Sequence, residues 1–446
     1  MKTIVIIFSF CCATLLCSAN TYYVSASGND ENSGLSIGEA WQTLAKVDSF
    51  DYQAGDFILF SGGDVFEGVL YNESLVNGTP GSPITFGSYG AGKATISSGM
   101  NFGAWIENSG NITIKDLIIH GDGYAVTSLW SGGIYFTVSI DAKASVDNII
   151  IENVEVYGYG GWGITLETLS PTYGYNHVKV NNCSVHDNGF GGLYIDGFYD
   201  PVNVQTKKVN SDVYFGYTKA YHNTGRYDYK LNWSGSGILM GGVVGGIIEY
   251  CEAYENGNEN GSTYAGPVGV FLGECKNVTI QHCISHNNYG GIGKRDGGGF
   301  DMDGGAESSV IQYCESYEND GAGYGLYQYV TQNAWTNDTV RYNKSNNDGR
   351  NSNLYGAITL WGVSKTYIVG NAQIYGNNIS MDKIGTALKF LNNNLLNVQV
   401  YDNVFCLTGP AIYSNTIPSN ATVINSSFPC AVLSLKRNSF NVKRIQ

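Results

Sequence analysis

Two aspartates, Asp301 and Asp303, flank a single methionine in the run GGFDMDGG that begins at Gly298. If that run is a strand, side chains at i and i+2 face the same way, about 6 to 7 Å apart. Two carboxyls at that separation suit acid and base work, because repulsion raises one pKa and leaves a neutral acid beside an ionised base. Asp296 precedes the pair, behind Lys294 and Arg295. A different chemistry uses the same residues: Asp296, Asp301 and Asp303 are oxygen donors of the kind that hold Ca2+. The plain alternative is a solvated acidic face.

A repeat supplies the element that would position such a strand. Four segments are nearly the same sentence: VNNCSVHDNG at Val180, IEYCEAYENG at Ile248, IQHCISHNNY at Ile280 and IQYCESYEND at Ile311. Diverged copies at Ile151, Val213 and Val340 extend the series at intervals of roughly 30 residues, a period of solenoids, propellers and helical arrays. Within a copy, Val, Ile and Tyr alternate with polar residues, and an Asn-containing turn and a Gly-rich segment lead to a second alternating run. Each unit is therefore expected to be two short strands and no helix. The second runs, among them GWGITLE at Gly161, GGLYID at Gly191, SGILMG at Ser236, VGVFLG at Val268, GGFDMD at Gly298 and YGLYQY at Tyr324, are expected to stack as one parallel sheet.

Alternate residues of a strand face opposite ways, so Ile164 and Leu166, Leu193 and Ile195, Val270 and Leu272, and Phe300 and Met302 belong inside. Two columns remain for the outer face. One runs through Tyr135, Thr165, Tyr194, Leu239, Phe271, Asp301 and Tyr327. Beside it run Glu167, Asp196, Gly241, Gly273, Asp303, Tyr329 and Trp361. Gly241 and Gly273 leave two bare coils between Asp196 and Asp303, a depression about 10 to 15 Å long. Asp196 thereby joins Asp301 and Asp303 as a candidate catalytic carboxyl. Aromatic faces beside carboxylates suit a sugar, whose C–H faces stack and whose hydroxyls need acceptors. Glu167, Tyr194, Phe271, Tyr327, Tyr329 and Trp361 are the corresponding substrate contacts. Long connections after Asn223, Asn256 and Asn288, and an insertion from Gly197 to Asn210, are expected to wall the depression and to bring Arg226, Trp233, Lys294 and Arg295 to it.

Other columns are architectural. Cys183, Cys251, Cys283 and Cys314 share one repeat position and are expected as buried free thiols. His186 and His286 occupy a place held by Tyr in other copies and belong to an aromatic stack. Asn188, Asn223, Asn256, Asn288 and Asn319 form a column in which each amide can bond the next coil.

The 446 residues include 59 Gly, are 14% charged and carry a net charge of −14. That balance repels a polyanion, and with no Gly-rich phosphate loop in the chain it excludes nucleic acid as a partner. Residues 1–19 read as a signal peptide, with Lys2, an apolar run from Ile4 to Leu16 and a small-residue site at Cys17-Ser18-Ala19. Bulky Leu16 disfavours a lipid anchor at Cys17. No later apolar stretch approaches the ~18 residues needed to span a bilayer. The expectation is a secreted monomer with no membrane partner. Residues 20–102 form an N-terminal cap and first coils, and residues 103–446 the repeats.

The units resemble coils of the single-stranded right-handed parallel β-helix of the pectin-lyase-like superfamily. The opening YYVSASGNDENSG at Tyr22, with WQTLAKV at Trp41 and GDFILFSGGDVFEG at Gly55, is similar to the start of many secreted β-helical carbohydrate-active proteins. From Gly266, the runs GPVGVFL, DGGGFDMDGG and YENDGAGYGLYQY resemble a bacterial β-helix-repeat family found among polysaccharide-degrading proteins. The resemblance covers almost the whole mature chain. It implies an all-β solenoid of about ten coils whose partner is a polysaccharide or oligosaccharide. It leaves three reactions open, since fold does not fix function. The leading one is glycoside hydrolysis by carboxylates in the groove, with no cofactor, at a carboxyl separation near the boundary between retaining and inverting enzymes. The second is Ca2+-dependent uronate lysis with Lys294 or Arg295 as base. The third is a non-catalytic carbohydrate-binding or adhesion β-helix.

Overall fold

The structure is a computed structural model that describes residues 19–73, 77–123, 132–350, 354–381, 386–407, 412–413 and 420–427. The expected signal segment through residue 18 and the basic tail from Ser434 lie outside the described residues.

Each repeat contributes three strands, one more than the sequence suggests. In one coil they are Val243–Glu249, Glu252–Tyr254 and Val268–Gly273. Stacked in register, the coils build three parallel sheets of 14, 12 and 12 strands. One 3-10 helix, Ile37–Glu39, and one α-helix, Leu44–Asp48, are the helices among the described residues. This is the expected all-β parallel β-helix, with about two coils more than the repeats reveal. The additional coils come from the N-terminal segment, where Thr21–Val24 already opens the first sheet.

The extra corner has a physical origin that composition hides. Tyr250, between the first two strands of its coil, takes a φ of 53°, and Glu255, after the second strand, takes 54°. Left-handed angles cost a residue with a Cβ about 1 to 2 kcal/mol. Stacking offsets that cost. Tyr217, Tyr250, His282, Tyr313 and Tyr342, all left-handed, pack ring on ring at 4.9 to 5.4 Å. A second stack runs His120, Tyr157, His186, Tyr221, Tyr254, His286 and Tyr317 at 4.4 to 5.1 Å. His186 and His286 are thus members of an aromatic column, as expected.

The asparagine column is a ladder. Each Nδ2 donates to the next Oδ1 at 2.9 to 3.1 Å from Asn188 to Asn319, and the series ends on Asp348 at 2.8 Å. The residue before each ladder Asn, such as Asp187, His222 or Glu255, takes the left-handed angle. The amide's two-way bonding, rather than its backbone tolerance, is therefore what the position uses.

Cys183, Cys251, Cys283 and Cys314 are free and buried. After Cys314 their corner passes to a second ladder: Asn343 Oδ1 accepts from Cys314 N at 2.9 Å, and Asn343, Asn377 and Asn403 follow in series. Cys406, outside the thiol column, is disulfide-bonded, which the repeats do not foretell. A continuous apolar core fills the interior from Tyr22 to Ala421. Among the described residues no helix is long and apolar enough to cross a membrane.

Candidate active site

The carboxyls lie on the outer face of the third sheet, built here by Trp162–Thr168, Gly191–Ile195, Ser236–Gly241, Val268–Gly273, Gly298–Met302, Tyr324–Gln328 and Ile358–Gly362. Strand register places Glu167, Asp196, Gly241, Gly273 and Asp303 on successive coils. Gly241 and Gly273 form a floor without side chains between the two aspartates and are themselves buried, Gly241 beneath the Asp196 carboxyl.

Two features depart from the sequence reading. First, Met302 pairs with Leu326, so Gly325 follows Asp301 and Tyr327 follows Asp303, a shift of two residues. The cause is Tyr324, which fills the core: its ring stacks on Phe300 at 5.4 Å, and its hydroxyl donates to the carbonyls of Cys314 and Lys344. Tyr329 then folds back, and a Cβ at Gly304 would sit 2.6 Å from its ring.

Second, the column containing Phe271 is covered. Phe271 is 4% exposed and packs with Leu239 and Val268. Trp233, on the connection after Asn223, closes over it edge-on at 5.6 Å and also meets Trp162 at 6.0 Å. Trp162 in turn stacks on Tyr194 at 4.9 Å. Trp162 escapes the sequence reading because the following Gly163 turns inward, where a Cβ would meet Val185 at 2.2 Å, so simple alternation fails at that point.

The loop cations divide. Arg226 is fully buried with its guanidinium on the Asp228 carboxylate at 3.0 and 2.5 Å, so it is a loop brace and not an exposed groove contact. Lys294 is exposed, and Arg295 donates through Nε to the Thr263 carbonyl at 3.4 Å. Trp361 is half-buried beside the covered Tyr327.

Each carboxyl has its own surroundings. Burial pushes Asp196 up to about 7, against the opposing pull of Gly197 N–H and the Tyr194 hydroxyl, which donate to it at 2.8 and 3.0 Å. Its Oδ1 lies over Gly241, where a Cβ would come within 2.5 Å. Glu167 accepts from the Tyr135 hydroxyl. Burial, with the charges of Asp296 and Glu274, pushes Asp303 up to about 8, and among the described residues no donor reaches its carboxyl. Asp301 is 2% exposed, covered by the Tyr327 ring over Gly325. Among the described residues its Oδ1 has no hydrogen-bond partner, and burial and the neighbouring carboxyls hold its pKa well above the usual range. Asp296 is raised less, to about 6: burial acts on it too, but the Tyr355 hydroxyl and Gly266 N–H favour its ionised form.

Glu274, one residue beyond Gly273, was not foreseen as a site residue. It is nearly buried, and its pKa is raised by burial against donors from Thr331, Asn333 and Thr206. Among the described residues no three His, Cys, Asp or Glu side chains converge as they would on a metal ion, the trio Asp296, Asp301 and Asp303 included. A concavity of about 520 Å³ lies elsewhere, lined by Asn77, Asn108, Asp141, Lys143 and Asp147, and contains none of the raised carboxyls.

No known family model matches the chain. Over 94% of its length it is 24% identical to a lacto-N-biosidase of Bifidobacterium longum subsp. longum, and it spans about a third (32%) of that protein's length. Among solved structures it matches a lacto-N-biosidase of glycoside hydrolase family 136 from Eubacterium ramulus with a TM-score of 0.55 at 15% identity, over 92% of this chain and 68% of that one. It also matches the A-module of a mannuronan C-5 epimerase from Azotobacter vinelandii, with a TM-score of 0.56 at 14% identity, over 84% of this chain and 91% of that one. At these identities the structural matches establish the shared β-helix and not the reaction.

Proposed function

We propose that the chain is a glycoside hydrolase acting on an oligosaccharide or polysaccharide bound along the glycine floor. The observation that carries this reading is the contrast between two carboxyls of which one feels the charge of the other. Asp296 has donors that hold it ionised, whereas Asp303 has none and keeps its proton near neutrality. A neutral acid beside an ionised carboxylate is what breaking a glycosidic bond requires.

In this mechanism Asp303 gives its proton to the glycosidic oxygen. Asp296 serves as the ionised partner, as nucleophile or as the base for water. Asp301, buried beneath Tyr327, touches no substrate and is kept protonated by its burial and by the neighbouring carboxyls. Asp196 stands three coils from Asp303, about 14 Å at the usual strand spacing. That exceeds the roughly 5 to 9.5 Å over which two carboxyls share one bond, so Asp196 binds a sugar hydroxyl instead. Glu167, Tyr194, Trp162 and Trp233 supply acceptors and ring faces at that end. The distant similarity to a lacto-N-biosidase supports hydrolysis over lysis or simple binding. The disulfide at Cys406 supports an oxidising compartment and, with the expected signal segment, a secreted protein.

The test is incubation with neutral and acidic glycans, aryl lacto-N-biosides among them, with and without calcium. Reducing ends and the ultraviolet absorbance of unsaturated sugars are followed together. Hydrolysis yields reducing ends alone, with a bell-shaped profile whose limbs fall near pH 6 and pH 8 and belong to the coupled cluster. Absorbance rising with the reducing ends assigns a lyase, and binding without turnover assigns the non-catalytic alternative.

A further inference from the structure

The hairpin of Phe198–Asp200 and Gln205–Lys207 leaves the Asp196 coil and reaches residues 329–333, which follow the strand beyond Asp303. Gln332 N–H donates to the Val204 carbonyl at 3.0 Å, and Asn333 Nδ2 to the Thr206 carbonyl at 2.8 Å. These contacts pass over the intervening coils and form one side of the groove. The same Asn333 amide also donates to Glu274 Oε2. Glu274 is 4% exposed, takes a left-handed φ of 53° and presses on Gly305, where a Cβ would lie 2.2 Å from Oε2. Asn333 is itself held by Gln328, whose Nε2 donates to its carbonyl at 3.0 Å while its Oε1 accepts from Gly305 N at 2.9 Å. A carboxylate in a strained backbone position, enclosed and bonded to both insertions, has no part in the acid and base roles assigned above.

We propose that Glu274 is a positioning residue that latches the hairpin to residues 329–333 and places a fixed negative charge beside Asp303 and Asp196. The second half rests on the hydrolase reading; the first does not. The groups facing Glu274 are Lys208, the donors Thr206, Thr331 and Asn333, and the titratable Asp196, Asp303 and Tyr329. Those facing Asp303 are Asp296, Asp301, Glu274, Tyr327 and Tyr329. The donors and Lys208 favour an ionised Glu274, whose charge opposes loss of the Asp303 proton.

Two variants separate the halves. Glu274→Gln keeps an acceptor for Asn333 and removes the charge, so the upper limb of the kcat/KM profile falls by about half a pH unit or more while the lower limb moves less. An upper limb that stays in place overturns the electrostatic role. Glu274→Ala removes the latch, and backbone hydrogen exchange over residues 198–207 and 329–333 speeds up about tenfold while the ladder amides are unchanged. Unchanged exchange in both segments overturns the latch. Asn333→Ala breaks the same bridge and decides the question by the same exchange if Glu274→Ala does not fold. Exchange is read without substrate, so absence of hydrolysis in the native protein would end the hydrolase reading and leave the latch to be judged separately.

Discussion

Replacing Asp303 by Asn removes both a proton donor and a repulsion. Glycan cleavage should fall by about 10² to 10⁴, the range of general acid catalysis. The same variant should melt higher than the native protein at pH 8 and not at pH 5, because the half-buried charge it abolishes exists only at the higher pH. A lower melting temperature at pH 8 would mean that the Asp303 charge is compensated in the fold. The floor glycines are separable by the same logic. A Cβ at Gly273 makes ordinary contacts with Asp303 Cβ at 3.5 Å, Tyr329 Oη at 3.7 Å and the Gly304 carbonyl at 3.9 Å, whereas at Gly241 it meets Asp196 Oδ1 at 2.5 Å. Gly273→Ala should therefore fold normally and raise KM several-fold, and Gly241→Ala should displace Asp196. Identical KM values for Gly273→Ala and the native protein would place the substrate elsewhere. The aspartate pair could be picked out in the sequence because alternation holds along its own strand, where Phe300 and Met302 fill the core, whereas it fails at Trp162. Glu274 was not, since it lies past the strand in a left-handed turn that no local pattern marks.

Among the elements, the ladder carries the most concentrated bonding. Asn256 Oδ1 accepts from Asn223 N and Nδ2, and its Nδ2 donates to the Ala220 carbonyl and Asn288 Oδ1. Asn256→Ala strands several buried groups at about 1 to 3 kcal/mol each, so a loss of about 3 kcal/mol or more is expected in urea unfolding. A change below about 1 kcal/mol would mean that water replaces the amide. The Asn, Cys and Tyr/His columns could be read directly because each repeats at one position. The second strand of the coil, Glu252–Tyr254, could not, because its corner is made by Tyr250, a residue with no turn signature. The shift that placed Tyr327 beside Asp303 was hidden for a related reason: in YGLYQY two tyrosines compete for the core, and only packing against Phe300 decides between them. Likewise, the cover over Phe271 comes from a distant loop and not from its own strand.

The whole molecule stores a set of protons. Asp296 and Asp348 hold theirs to about 6, Asp196 to about 7 and Asp303 to about 8, against an unfolded value near 3.9. The native state therefore binds more protons than the unfolded chain between about pH 4 and pH 8, and its stability falls as pH rises through that window. Below about pH 4 the opposite group dominates: Asp30, Asp141, Asp200 and Asp228 have lowered values and lose their stabilising bonds on protonation. The melting temperature should be several degrees higher at pH 5 than at pH 8, and a flat or rising profile over that interval would contradict the assigned shifts.

The bracing also constrains how such a groove can change. Ladder, stacks and sheets all repeat once per coil, so the distance from Asp196 to Asp303 has no fine adjustment and alters only in whole steps of about 4.8 Å, by gain or loss of a glycine-floored coil. Substrate length is in this sense an integer variable. The hairpin's reach, fixed where Val204 meets Gln332, sets the present count at two.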